Sequence, residues 1–222
     1  MIIEKASIIT SPVIKESSQK ESDLKKKLGN ELIDQPLDLR TLKSINNSYN
    51  DRCINFKATS TVGLGFTIQK DGEVIDPNDY PEFITSANPF ESFHEVILQV
   101  ALDFEQCGNG DLEVVRNRKG EIAELYWVPT ETIYVARRRE YLEQVHLDST
   151  QRVKFNFFGR KNIEAKSEII RFKMPSNKHP YYGFPEYIEA VGPIHMDAMA
   201  VEWNYRFFEN NAIPDYAIIV EG

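Results

Sequence analysis

The segment 185–211, PEYIEAVGPIHMDAMAVEWNYRFFENN, constrains this chain more than any other. It has helical character, yet its apolar residues Ile188, Val191, Ile194, Met196, Met199, Trp203, Phe207 and Phe208 do not collect into one narrow stripe at about 100° per residue. Such a helix is wrapped on several sides. In a chain of 222 residues the wrapping comes either from other subunits or from the chain's own elements around a central helix. On the first alternative Met199, Trp203, Phe207 and Phe208 are the candidate subunit-interface residues. Gly192 and Pro193 predict a kink or a short break inside the helix.

The residues just ahead read as an ordered turn into that helix. In KHPYYGFPEYIEAV, Gly183 permits backbone angles that a side chain forbids, and Pro185 loses no hydrogen bond at a first helical position. Tyr181, Tyr182, Gly183, Phe184 and Pro185 form the turn.

Composition sets the outer bounds. With 41% hydrophobic and 27% charged residues, the chain suits one large soluble domain or two small ones. A net charge of -8 and a pI near 5.2 argue against a broad basic surface that grips nucleic acid. Cys53 and Cys107 lie far apart with no C-x-x-C pair, so neither a disulfide framework nor a zinc site is expected. No stretch reaches about 18 consecutive apolar residues, and the opening MIIEKASIIT has no apolar core behind it. Neither a membrane span nor a signal peptide is expected, and a cytoplasmic origin is.

Residues 15–28, KESSQKESDLKKKL, mix both charge signs with few apolar groups and read as a solvated N-terminal arm. From Pro36, Leu39, Leu42, Ile45, Tyr49, Cys53 and Phe56 recur at spacings of three or four, predicting one amphipathic helix. Gly63 and Gly65 end it, and Phe66 and Ile68 alternate with polar neighbours as in a short strand. The G-x-G there stands in the wrong order for a phosphate fingerprint. Asn88, Pro89 and Glu91 resemble a cap, a first helical position and a capping box for a second helix, with Phe90, Phe93, Ile97, Val100, Ala101 and Phe104 as its buried stripe. His94 reads as an exposed or satisfied histidine. Beyond CGNG, DLEVVRNRKGEIAELYWVPTETIYVARRR predicts a hairpin about residues 118–120 and a further strand, and YLEQVHL, RVKFNFF and EIIRFKM predict three more. The fold class is therefore α+β, a small and mostly antiparallel sheet flanked by helices and followed by one long helix.

Sites of chemistry are sparse. The histidines His94, His146, His179 and His195 stand outside any nucleophile setting, there is no P-loop, and no carboxylate or histidine spacing gathers metal ligands. No catalytic residue, metal site or cofactor is called for, and a small hydrolase built from distant residues is the lesser alternative. Glu186, Glu189 and Asp197 fall on one side of a regular helix, with Glu202 and Glu209 on another. They are either a solvated face or an acidic lining that repels a phosphate backbone and lets it slide.

YYGFPEYIEAV, followed by AMAVEWNYRFFENNAIPDYAIIVEG, resembles the portal proteins of tailed phages, in particular the PBSX-type branch. There a Y-Y-G-x-P-E-Y element precedes a long helix, and an asparagine-containing turn like N-G-A leads to a strand ending in I-L or I-V. The resemblance extends through PLDLRTLKSINNSYNDRCINFKATSTVGLGFTI, FHEVILQVALDFEQCGNGDLEVVRNRKGEIAELYWVP and SEIIRFKM, covering most of the chain from about Pro36. It implies a subunit of a ring, usually of about twelve copies, at one capsid vertex, through which double-stranded DNA passes non-specifically during packaging and ejection. Implied partners are further copies of the chain, the terminase large subunit that would hydrolyse ATP, capsid and scaffold proteins, and head-completion adaptors, with no membrane. The implied location is the virion, after synthesis in the host bacterial cytoplasm. On this resemblance 1–36 is a flexible arm, 37–180 a wing, 181–211 a stem helix with its leading turn, and 212–222 the start of a clip strand. Glu186, Glu189 and Asp197 are then the channel-facing candidates, and Tyr181, Tyr182, Gly183 and Pro185 join wing to stem. Two departures stand out: Asn210 and Asn211 replace the usual N-G, and the chain stops at Gly222 where family members continue into a clip, a second stem helix and a crown. A fragment or truncated gene product is expected on that ground. A virion component without a channel is the principal alternative.

Overall fold

The computed structural model describes residues 28–45, 47–63, 65–146 and 151–209. Asn210, Asn211, the expected strand at 212–222 and most of the expected N-terminal arm lie outside the described residues. The body is α+β. Strands β1 (Leu32–Ile33), β4 (Asn109–Arg116), β5 (Ile122–Val128), β6 (Ile133–Ala136), β7 (Leu142–Val145), β8 (Arg152–Phe157) and β9 (Glu168–Lys173) form a seven-stranded sheet in the order β1-β6-β7-β8-β9-β4-β5. Every neighbouring pair is antiparallel except β8 and β9, which run parallel with Asn156 opposite Glu168. The predicted hairpin is β4 to β5, where the Asn117 side chain accepts from the Lys119 and Glu121 amides and Gly120 takes the left-handed conformation.

Alternation along the strands gives the sheet two apolar faces. Ile169 faces a cluster of Val128, Ile133, Val135, Leu142, Phe155 and Tyr182, while its neighbour Ile170 packs on the opposite cluster of Ala87, Val96, Val100, Leu112, Val114 and Leu125. Helix α4 (Phe93–Cys107) covers that second face, and α2 (Ser48–Val62) packs on α4.

Four local readings of the sequence are corrected by the structure. The single helix expected from Leu39 to Phe56 is two, α1 (Leu39–Ser44) and α2, because the Asn47 side chain accepts from the Tyr49 and Asn50 amides and starts a new helix. The break resets the helical phase. Ile54 and Ala58 therefore turn inward, and Tyr49, Cys53 and Phe56 outward. The strand expected at Phe66 and Ile68 begins instead at β2 (Gln69–Lys70), paired with β3 (Glu73–Val74), because Asp71 and Gly72 both adopt the positive φ that a two-residue hairpin turn requires. After it, α3 (Glu82–Thr85) adds a single turn.

The third correction concerns α4, which is capped by Ser92 with Glu95 as its capping box rather than by Asn88 with Glu91. Asn88 is spent elsewhere: its amide donates to the Leu125 carbonyl of β5 at 3.0 Å, and its oxygen closes a turn on Phe90 and Glu91. Phe90, expected in the buried stripe, is 88% exposed, and the inward residues are Val96, Val100, Asp103 and Cys107. Lastly, the helix expected from Pro185 begins as a 3-10 segment, Glu186–Ala190, and becomes α5 at Val191–Glu209. Gly192 and Pro193 thus occupy the first turn of α5, where a missing N–H costs nothing, instead of kinking its middle.

Candidate functional site

The segment 178–185 packs as a corner between the sheet and the final helix, and two backbones cross inside it. A Cβ on Gly183 would collide with the Gly108 carbonyl oxygen and lie 2.8 Å from the Met174 nitrogen. A Cβ on Gly108, whose φ is +75°, would lie 2.5 Å from the Phe184 carbonyl carbon. No side chain fits between them. Asn109 fastens the crossing: its oxygen accepts from the Gly183 amide at 2.8 Å, and its amide donates to the Gly183 carbonyl at 3.4 Å. The Met174 amide donates to the Gly108 carbonyl at 2.9 Å, which ties the end of β9 to the same point.

The two tyrosines have separate duties. Tyr182 is 1% exposed, and its hydroxyl donates to the Ile33 carbonyl at 2.7 Å and accepts from the Val135 amide at 3.0 Å. Burial pushes its phenol well above the ordinary range. Tyr181 donates from the rim to the Arg137 carbonyl at 3.0 Å. His179 closes the corner, its Nδ1 accepting from the Tyr181 and Tyr182 amides at 3.3 and 3.2 Å. Burial, helped by the charge of Lys173, holds His179 below its ordinary value of 6.5, which keeps Nδ1 an acceptor.

Charges support the corner from beneath. Lys43 of α1 pairs with Asp103 and Glu131, both at 2.6 Å, and Asp103 also accepts from the Trp127 indole and the Thr130 amide. Burial alone would lower Lys43, and these carboxylates override it to raise the ammonium. Asp111 accepts from the Thr130 hydroxyl, and burial lifts its carboxyl despite Arg171 at 3.7 Å. Cys107, buried in the same region, is pushed up by burial and is an inert thiol there.

From the corner the chain enters a well-packed root. Phe184, Tyr187, Ile188, Val191 and Ile194 pack against Leu37, Leu39, Leu42, Ile45 and Cys107, and the Tyr187 hydroxyl donates to the Gln106 carbonyl at 2.7 Å. The three carboxylates singled out from the sequence all lie at this root, each engaged by its own chain. Lys57 bridges Glu186 and Glu105 at 2.8 and 2.5 Å, Lys178 pairs with Glu189, and the Asn47 amide donates to Asp197 at 2.8 Å. Glu186 and Glu189 stay on one side because residues three apart eclipse in a 3-10 turn.

Beyond the root, α5 has little of its own chain around it. Every residue from 199 to 209 is exposed among the described residues, including Trp203 at 64% and Phe208 at 72%. Trp203 stacks on Phe207 with centroids 5.4 Å apart, Phe207 meets Phe208 edge-on, and Glu202 pairs with Arg206 one turn on. A run of large apolar groups on a bare helix is a candidate interaction surface, since covering each would contribute about 1.5–3 kcal/mol.

The corner and the helix were legible in the sequence. Gly108, Asn109, Asp111 and Arg171 were not, because their partners lie far away in the chain, and His179 was not singled out although the amides it accepts from are only two and three residues on. Among the described residues no group of three or more His, Cys, Asp or Glu is placed to hold a metal ion, and no helix is long and apolar enough to cross a membrane.

The chain belongs to the phage portal protein family, whose family model matches residues 50–222. It is 23% identical over 243 residues to the uncharacterized protein YqbA of Bacillus subtilis (strain 168), a match covering 86% of this chain and 47% of that protein. A chain in the neck of an empty gene transfer agent particle, computed with C6 symmetry, superposes with a TM-score of 0.69 at 18% identity, over 87% of this chain and 52% of that one. A chain in the native particle's neck, computed with C12 symmetry, superposes at 0.63 and 16% identity, over 91% and 53%. At these identities the likeness is one of fold, and the chain spans about half the length of the proteins it matches.

Proposed function

We propose that this chain supplies the wing (37–180) and first stem portion (181–211) of a portal subunit, one of a ring of about twelve copies at a capsid vertex, through which double-stranded DNA passes non-specifically. Membership of the portal family supports this reading, and the bare helix α5 is the observation that carries it. Copies arranged about an axis would cover Met199, Trp203, Phe207 and Phe208, which the chain's own described residues leave in water. Tyr181, Tyr182, Gly183 and Pro185 set the angle between wing and stem. Any error in that angle recurs in every subunit and accumulates around a closed ring, which gives a rigid corner its purpose.

Glu186, Glu189 and Asp197 are the proposed channel-facing carboxylates. Lys57, Lys178 and Asn47 temper the charge they present, so the lining repels phosphates weakly and holds none of them. In this role the chain performs no catalysis and takes no cofactor. ATP hydrolysis belongs to a terminase large subunit docked on the ring, and the ring also meets capsid or scaffold proteins and head-completion adaptors. Its place is the virion, after synthesis in the bacterial host.

Negative-stain images of the purified oligomer test the channel. Rings with an axial opening wide enough for a duplex are expected; closed particles without an opening would point to a virion component that conducts nothing.

A further inference from the structure

A cleft of about 470 Å³ opens beside the corner, between the end of β6, the turn after β8, the strand β9 and Pro180. Its charge is opposite to that of the molecule. The chain carries a net charge of -8, yet Arg139, Arg160, Arg171 and Lys173 line this cleft, and no carboxylate does among the described residues.

Arg171 sets its chemistry. Its side chain is only 6% exposed, and Nε, Nη1 and Nη2 have no hydrogen-bond partner among the described residues. Asp111 offsets part of its charge from 3.7 Å, a separation too long for a hydrogen bond, and the guanidinium lies 5.1 Å from the centre of the Tyr182 ring. The fork thus lies over an aromatic face with its donors idle. Such a fork matches the paired oxygens of a carboxylate or a phosphate. At the mouth, Arg139 and Lys173 both donate to the Pro180 carbonyl, at 3.0 and 3.1 Å, and Arg139 lies over the Tyr181 ring. One carbonyl therefore gathers two rim cations while leaving their other donors available.

We propose that this cleft binds a phosphate dianion, with Arg171 at its floor and Arg139, Arg160 and Lys173 at its rim. Four cations offset by one carboxylate, Asp111 at 3.7 Å from Arg171, leave more positive charge than a single carboxylate ligand would balance. A phosphate within a DNA strand carries a sugar on each side, which keeps it from a guanidinium this deeply buried. The inference concerns the sheet body and stands apart from the portal reading.

Calorimetric titration of the whole chain with inorganic phosphate tests it, at constant ionic strength and with acetate as comparator. Saturable binding of one phosphate per chain is expected, tighter than acetate. Removing two charge-assisted contacts with Arg160→Gln and Lys173→Gln should weaken it about tenfold or more. Both side chains are exposed, so that variant folds even if Arg171→Met, which strands buried Asp111, does not. Heats that do not saturate, acetate binding as tightly as phosphate, or unchanged affinity in the rim variant would overturn the assignment.

Discussion

At Gly183 an added methyl group meets the backbone of Gly108 and Met174, and no flexible side chain can give way. Gly183→Ala is therefore expected to cost about 3 kcal/mol or more, read as a drop in urea midpoint, whereas Gly192→Ala, with nothing within 4 Å of its Cβ, should be neutral or gain up to about 1 kcal/mol. Equal effects at the two glycines would contradict the crossing. Tyr182→Phe keeps the ring but strands the Ile33 carbonyl and the Val135 amide, and should cost about 1–3 kcal/mol in the same assay. His179 adds a pH dependence whose sign follows from its depressed value. Its contribution is full above the ordinary value of 6.5 and is lost as pH falls through the lower folded value, when a proton on Nδ1 opposes two backbone amides. Thermal unfolding between about pH 8 and about pH 5 should show this loss, and His179→Ala should flatten it.

Between elements, the decisive contacts are caps and crossings that periodicity does not reveal. The hairpin β4–β5 and the strands β6 to β9 were legible because alternation and turn residues act locally. The start of α4 was not: N-x-x-E at Asn88 and S-x-x-E at Ser92 are equivalent signals four residues apart, and a bond from Asn88 to β5 decides between them. Likewise Gly183 and Pro185 announced a turn, while its clamp, Asn109, lies 74 residues earlier. The carboxylates were projected on a regular α-helix, but Glu186 and Glu189 belong to a 3-10 segment and each has a lysine from elsewhere in the chain. Asn47 joins two of these contacts, capping α2 and holding Asp197 at the root of α5. Asn47→Ala should lower stability by about 1–2 kcal/mol, and amide exchange should rise at both the α2 N-terminus and the first turns of α5. Exchange confined to α2 would show that Asp197 is not anchored from there.

For the molecule as a whole, a firm body and corner carry a helix whose apolar residues are exposed among the described residues. Charge reversal at its root, with Glu186, Glu189 and Asp197 all replaced by lysine, should make a complete portal ring retain DNA and slow its passage, more so at low salt; unchanged passage would remove those residues from the channel. The central claim is association through α5, and light scattering across a concentration series measures it most directly. The wild-type chain is expected as particles of about ten or more subunits, and the combined Trp203→Ser, Phe207→Ser and Phe208→Ser variant as a folded species of much lower mass. A wild-type chain that stays monomeric at every concentration, or a variant that assembles as the wild type does, would contradict the account.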